Sequence, residues 1–291
     1  MIQSVLDLVG DTPLVELNKL NTNKKVKVVA KLEGDNPGGS VKDRAALNMI
    51  RSALERKEIV PGMKLIEATS GNTGIALAMI ARQFDLEIEL VLPKKSTQER
   101  VQTMEAYGAK VILLDGIEAC RDYADEKGQS EAYFQLNQFA NPDNYLAHYM
   151  STGPEIWRDT DGKITHFVSA MGTTGTIMGT SKYLKEQNKD IQIVGCQPTE
   201  GSSIPGIRRW PEAYLPKIFN PDRVDRVIDV SEEDARNTAR KLAKVESIFA
   251  GMSSGGAAFA ALKLAEELEE GLIVFIVCDR GDRYLSSDLF A

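Results

Sequence analysis

Apolar residues in this chain come in short β-branched runs, and after most runs they recur every three or four positions. Seven runs predict strands, at 28–33, 65–68, 88–92, 111–114, 166–169, 191–196 and 272–278. After Ser40, residues Val41, Ala45, Met49, Ala53 and Leu54 share one helical face. Further helical spacing covers 74–83, 98–107, 176–187, 232–244 and 255–269. Strand and helix in alternation predict an α/β fold, with parallel-rich sheets flanked by helices on both faces. In such folds binding sites form at the carboxyl ends of strands, where loops enter helix N-termini. A Pro/Asn-rich stretch at 138–144 reads as a hinge or domain border. The segment 201–221, with four prolines and two adjacent arginines, reads as irregular, and no internal repeat is present.

Glycine- and hydroxyl-rich segments occupy the strand-to-helix junctions. NPGGSVKDR, 36–44, sets Lys42 just after a glycine turn at a helix start. The positive end of a helix disfavours a cation, so a neutral amine, the form needed for Schiff-base chemistry, is relatively favoured there. TSGNTG, 69–74, combines backbone N–H groups with hydroxyls in an anion cradle; a set of helix caps is the alternative. MGTTGT, 171–176, suits a phosphate, with glycines for close backbone approach and three threonine hydroxyls. No Lys-Ser/Thr pair follows it, and glycines at 172, 175 and 179 do not match the dinucleotide fingerprint. GMSSGGA, 251–257, offers serine hydroxyls to a cap or to a heterocycle nitrogen. The paired arginines of IRRW, 207–210, read as surface charge or as an anion site, and Cys278 closes a buried strand.

Composition narrows the class. The net charge of −7 argues against non-specific nucleic-acid or anionic-membrane binding, and no apolar run approaches a membrane span. Three cysteines, Cys120, Cys196 and Cys278, lie far apart without a CxxC pair, which predicts neither a disulfide framework nor a zinc knuckle. The two histidines are too few for a His-rich metal site, so none is expected. The first fifteen residues lack a basic segment of the secretory type. With the cysteine usage this predicts a cytoplasmic protein.

Taken in order, GDTPLVELNKL, NPGGSVKDRAA, EATSGNTGIALAMIA, QFANPDN, TGPEIW, MGTTGTIMG, GSSIPGIRRWPEAYLP, GMSSGGA and CDRGDRYLS resemble the cysteine synthase group of fold-type II pyridoxal-phosphate (PLP) enzymes. The GTTGT variant, the IRRW loop and the terminal CDRGDRYLS resemble the B type; Asp11, where the family often has Asn or His, departs from the pattern. The resemblance implies a two-domain, tryptophan synthase β-like fold, with a smaller mobile domain at 37–146 and a larger one from 1–36 and 147–291. It implies β-replacement on O-acetylserine or O-phosphoserine, with sulfide, thiosulfate or a protein thiocarboxylate as sulfur donor. Cystathionine β-synthase-like or serine/threonine dehydratase chemistry is the alternative on this fold. Lys42 would hold PLP as a Schiff base, Gly172, Thr173, Thr174, Gly175 and Thr176 would wrap its phosphate, and Asn72 would meet its phenolic oxygen. Ser253, ahead of Ser254, would meet the pyridine nitrogen. Thr69, Ser70, Gly71, Thr73 and Gln138 would hold the substrate carboxylate, and Arg208, Arg209, Trp210 and Cys278 would line the sulfur-donor side. A homodimer is implied, with serine acetyltransferase binding weak or absent.

Overall fold

The computed structural model describes residues 2–69 and 71–291. Its strands are β1 (Leu14–Glu16), β2 (Val26–Leu32), β3 (Lys64–Ala68), β4 (Ile88–Pro93), β5 (Lys110–Leu114), β6 (Tyr133–Gln135), β7 (His166–Ala170), β8 (Gln192–Pro198), β9 (Arg226–Val230) and β10 (Gly271–Val277). The helices are α1 (Lys42–Glu55), α2 (Asn72–Gln83), α3 (Gln98–Ala106), α4 (Gly116–Lys127), α5 (Pro142–Ala147), α6 (Gly153–Asp159), α7 (Gly175–Gln187), α8 (Glu232–Glu246) and α9 (Met252–Glu267). A π-helical turn, His148–Thr152, joins α5 to α6.

The strands form two sheets. One runs β1-β2-β10-β7-β8-β9 and the other β5-β4-β3-β6. Every neighbouring pair is parallel except β1 with β2. The two-residue period of a strand explains the layering. In the large sheet Val28, Val168, Val194 and Phe275 face one way and pack on Ala239 and Leu242 of α8 and Ala261 and Leu264 of α9. Their sequence neighbours Val29, Phe167, Ile193 and Val274 face the other way, onto Ile156 of α6 and Ile177 and Leu184 of α7. The small sheet repeats this plan: Leu65 and Leu90 pack under α1 and α2, while Ile66 and Val91 pack against Cys120 and Ala124 of α4. Both faces of both sheets are therefore buried, which is why the central strands read as unbroken apolar runs.

A buried ion network joins the two halves. Lys31 Nζ donates to Glu155 Oε2 (2.7 Å), Arg44 Nη1 to Glu155 Oε1 (2.6 Å), and Arg44 Nε and Nη2 to the two oxygens of Glu33 (2.7 Å each). Arg44 lies on α1 only two residues beyond Lys42, so this network fixes the start of that helix to β2 and α6.

Candidate functional site

Four helices begin at one cleft. Lys42 of α1, Asn72 and Thr73 of α2, Thr174 and Thr176 at the start of α7, and Ser253 of α9 all line it. The partial positive charge of each N-terminus favours an anion between them. Thr69, Gln138, Gly172, Thr173, Arg208, Trp210 and Cys278 complete the expected part of the wall. Ser70 lies outside the described residues.

Lys42 sits in the centre. Among the described residues its Nζ makes no hydrogen bond or ion pair, and its pKa is lowered by burial, against the opposing pull of Cys278, Asp279 and Glu33. A buried amine without a fixed partner, with its charged form disfavoured, is chemically available. The cysteine opposite is not: burial pushes the Cys278 thiol up to about 11 despite Lys42, so it is protonated at neutral pH.

The loop between β7 and α7 has the shape of a phosphate cradle. A Cβ at Gly172 would lie 2.6 Å from the Gly206 carbonyl, and one at Gly175 would run into the Asn144 side chain, so only glycine lets the backbone come so close. Thr174 takes a left-handed conformation (φ 68°), and its buried Oγ1 has no partner among the described residues. Asn144 Nδ2 bonds Thr173 Oγ1 (3.2 Å), and His148 Nε2 lies 3.4 Å from Thr176 Oγ1. Burial, with Arg44 nearby, lowers the His148 pKa to about 3, so the imidazole is neutral. The orphaned hydroxyl, the close backbone and the helix N-terminus fit a phosphate group such as that of PLP.

The loop leading into α2 is tied to its neighbours. Thr73 Oγ1 donates to Gln138 Oε1 (2.8 Å), Gln138 Nε2 to the Ala68 carbonyl (2.9 Å), and the Gly71 N–H to Thr69 Oγ1 (3.1 Å). The serine pair separates in role: Ser254 Oγ accepts the Cys278 N–H (2.9 Å) and lies off the cleft wall, whereas Ser253 lines it. Asn72 donates from Nδ2 to Asp279 (2.6 Å) and accepts from Arg283 (2.6 Å).

The IRRW loop divides. The Arg208 guanidinium reaches the cleft with no ion-pair partner among the described residues, and burial lowers its pKa. Trp210 Nε1 donates to the Gly172 carbonyl (2.7 Å), and its ring meets Phe139 edge-on at 5.5 Å. Arg209 is not brought to the site. Its side chain turns outward to the Pro198 carbonyl (2.9 Å) and Asp229 (2.6 Å), which corrects its expected place on the sulfur-donor side. Adjacent residues on an extended loop point to opposite sides, so only one of the two can face the cleft.

Sequence reasoning did not find Arg100, Ile117, Phe139, Gly206 or Tyr284 in this wall. Arg100 lies on α3 and stacks over the Tyr284 ring at 4.9 Å. No local motif marks these residues, because tertiary packing alone brings them in. His148, beside Thr176 of the cradle, also carries no signal in the sequence beyond being an isolated histidine.

The sequence matches the pyridoxal-phosphate dependent enzyme family over residues 5–279. It is 57% identical over 290 residues to cysteine synthase B of Pseudomonas aeruginosa, covering 99% of this chain and 97% of that protein. Against cysteine synthase B of Escherichia coli it is 56% identical, covering 97% and 94%. The crystal structure of a cysteine synthase from Entamoeba histolytica superposes with a TM-score of 0.93 at 39% identity, covering 100% of this chain and 91% of that one. With the cradle and the unpartnered lysine already in place, the chain belongs to the pyridoxal-phosphate-dependent enzymes, in their cysteine synthase group.

Proposed function

We propose that this enzyme makes L-cysteine by β-replacement on O-acetyl-L-serine, with sulfide as donor, and S-sulfocysteine when thiosulfate takes its place. The observation that carries this is the free Lys42 Nζ at the meeting point of four helix N-termini. PLP, when bound, supplies an electron sink for the carbon next to the substrate carboxylate. Lys42 would hold the cofactor through Nζ, and the same amine would take up the substrate's α-proton and later return it. Its lowered pKa leaves it able to accept that proton.

Residues 172–176 hold the phosphate, Asn72 the ring oxygen and Ser253 the ring nitrogen. A serine there does not keep that nitrogen protonated as a carboxylate does. Thr69, Ser70, Gly71, Thr73 and Gln138 receive the substrate carboxylate. Loss of acetate breaks the Cβ–O bond and the sulfur donor forms a Cβ–S bond, without net redox change. Arg208, unpaired among the described residues and half-buried, gives an anionic donor its counter-charge, and Trp210 and Cys278 give it apolar walls. O-Phosphoserine suits the same cationic cleft as a leaving-group variant.

Residues 37–146 act as a smaller domain that closes on the substrate and excludes water. The functional unit is a cytoplasmic homodimer that binds serine acetyltransferase weakly or not at all. Among the described residues no helix is long and apolar enough to cross a membrane.

Visible absorbance of the purified protein tests the reading. A yellow enzyme whose band moves to longer wavelength with O-acetylserine alone, and returns with sulfide or thiosulfate, is expected. Indifference to O-acetylserine moves the substrate to O-phosphoserine or the chemistry to the related lyases. A colourless protein overturns the role of Lys42.

A further inference from the structure

The side chain of Asn72 is held from both sides by groups of opposite hydrogen-bonding character. Asp279 Oδ2, 2.6 Å from Nδ2, only accepts; Arg283 Nη1, 2.6 Å from Oδ1, only donates. Turning the amide over would set two donors together and two acceptors together, so one orientation alone is allowed. Each clamp residue is itself fixed. Tyr284 donates from its hydroxyl to Asp279 Oδ2 (2.7 Å), and Arg283 Nη2 donates to the Gly38 carbonyl. The turn before Lys42 is built around that guanidinium: Gly39 has φ 78°, and a Cβ there would lie 2.6 Å from Arg283 Nη2. Asp279 is fully buried and Arg283 only 9% exposed, so two charges have been taken out of water at this point. Burying charge for a mere structural link is unfavourable against apolar packing, which points to an orienting role.

We infer that Asp279 and Arg283 are positioning residues for the cofactor: they lock the Asn72 amide so that its second N–H, which has no partner among the described residues, faces the cleft as a donor. The ring atom that Asn72 meets is then an acceptor oxygen. This rests on the proposed contact between Asn72 and the ring.

A mutant cycle in the holoenzyme tests it. Asp279→Asn, Asn72→Ala and the double variant are compared for the rate of cofactor loss on dilution and for the position of the visible band. An amide at 279 both donates and accepts, so that side of the clamp no longer enforces one orientation and Arg283 is left to do so alone. Asp279→Asn is expected to speed cofactor loss about tenfold, the effect of one charge-assisted bond, and to move the band. In the Asn72→Ala background the same change is expected to alter the rate by less than about twofold. Equal acceleration in both backgrounds overturns the clamp, since Asp279 then acts by another route. If Asn72→Ala retains its cofactor and band like the parent, the ring contact of Asn72 fails instead, and Lys42 and the phosphate cradle are untouched by that result. Should Asp279→Asn unfold, Arg283→Lys, which keeps the charge but loses the forked donor, enters the same cycle with the same two outcomes.

Discussion

If Lys42 holds the cofactor as proposed, the requirements of chemistry and of stability conflict there. Catalysis needs an amine that is buried, unpaired and easily deprotonated, and burial lowers its pKa accordingly. The folded chain therefore holds fewer protons than the unfolded chain over the range below the ordinary lysine value of 10.5. By linkage, stability in that range rises with pH and is lost as pH falls. Lys42→Met removes the titrating group while keeping most of the volume. Its cofactor-free form is expected to melt higher than the cofactor-free parent at neutral pH, and less steeply with pH. Thermal melts of both proteins from about pH 6 to pH 9 check this. An unchanged slope would mean that the amine finds water in the open cleft. The holo form of the variant is expected to lose the yellow band altogether.

The elements differ in how far the sequence announces them. The seven strands read from apolar runs are β2, β3, β4, β7, β8 and β10, which are largely buried, and β5, a partly buried edge strand of apolar sequence, with boundaries within one or two residues. The three that were not read are short or lie at an edge. β1 and β6 have three residues each, and β9 alternates exposed and buried positions in RVIDV at the sheet margin. Helix α4 buries only Cys120 and Ala124, too few for a periodic signal. Pro142, in the stretch read as a hinge or domain border, occupies the first turn of α5, as Pro154 does that of α6, where a missing N–H costs nothing. The stretch expected to be a hinge thus caps α5 through Asn141 and delivers Asn144 to the phosphate cradle.

What binds these elements under the cleft is the network of Lys31, Glu155, Arg44 and Glu33. Burial alone would raise the Glu155 pKa, but its bonds to Arg44 and Lys31 outweigh that and bring it from 4.5 to about 2. A depressed carboxyl stabilises the fold above its ordinary pKa, and the contribution is lost as pH falls from about 4.5 to about 2. Glu155→Gln leaves two buried cations short of a counter-charge, and a loss of about 3 kcal/mol is expected at neutral pH. Urea unfolding at neutral and acid pH checks both parts, because the difference from the parent should shrink on the acid side.

For the whole molecule, the cleft lies between two sheets, and few groups cross it. Asn72 reaches Asp279 and Arg283, Phe139 meets Trp210, Arg100 covers Tyr284, and Glu99 of α3 accepts from Ser286 through N (2.9 Å) and Oγ (2.7 Å). Neither Glu99 nor Ser286 lines the cleft, so this pair bears on closure rather than on the chemistry. If residues 37–146 close over the substrate, the Glu99–Ser286 contact adds to the closed form alone. Glu99→Ala is then expected to raise the KM for O-acetylserine about two- to fivefold, the worth of roughly one hydrogen-bonded pair, with kcat nearly unchanged. Ser286→Ala should do the same, and the double variant should do no more than either, since both remove one contact. Steady-state kinetics of the three variants decide it. Additive losses would show that the two residues act separately, and a fall in kcat with KM unmoved would place the contact in the chemical step rather than in closure.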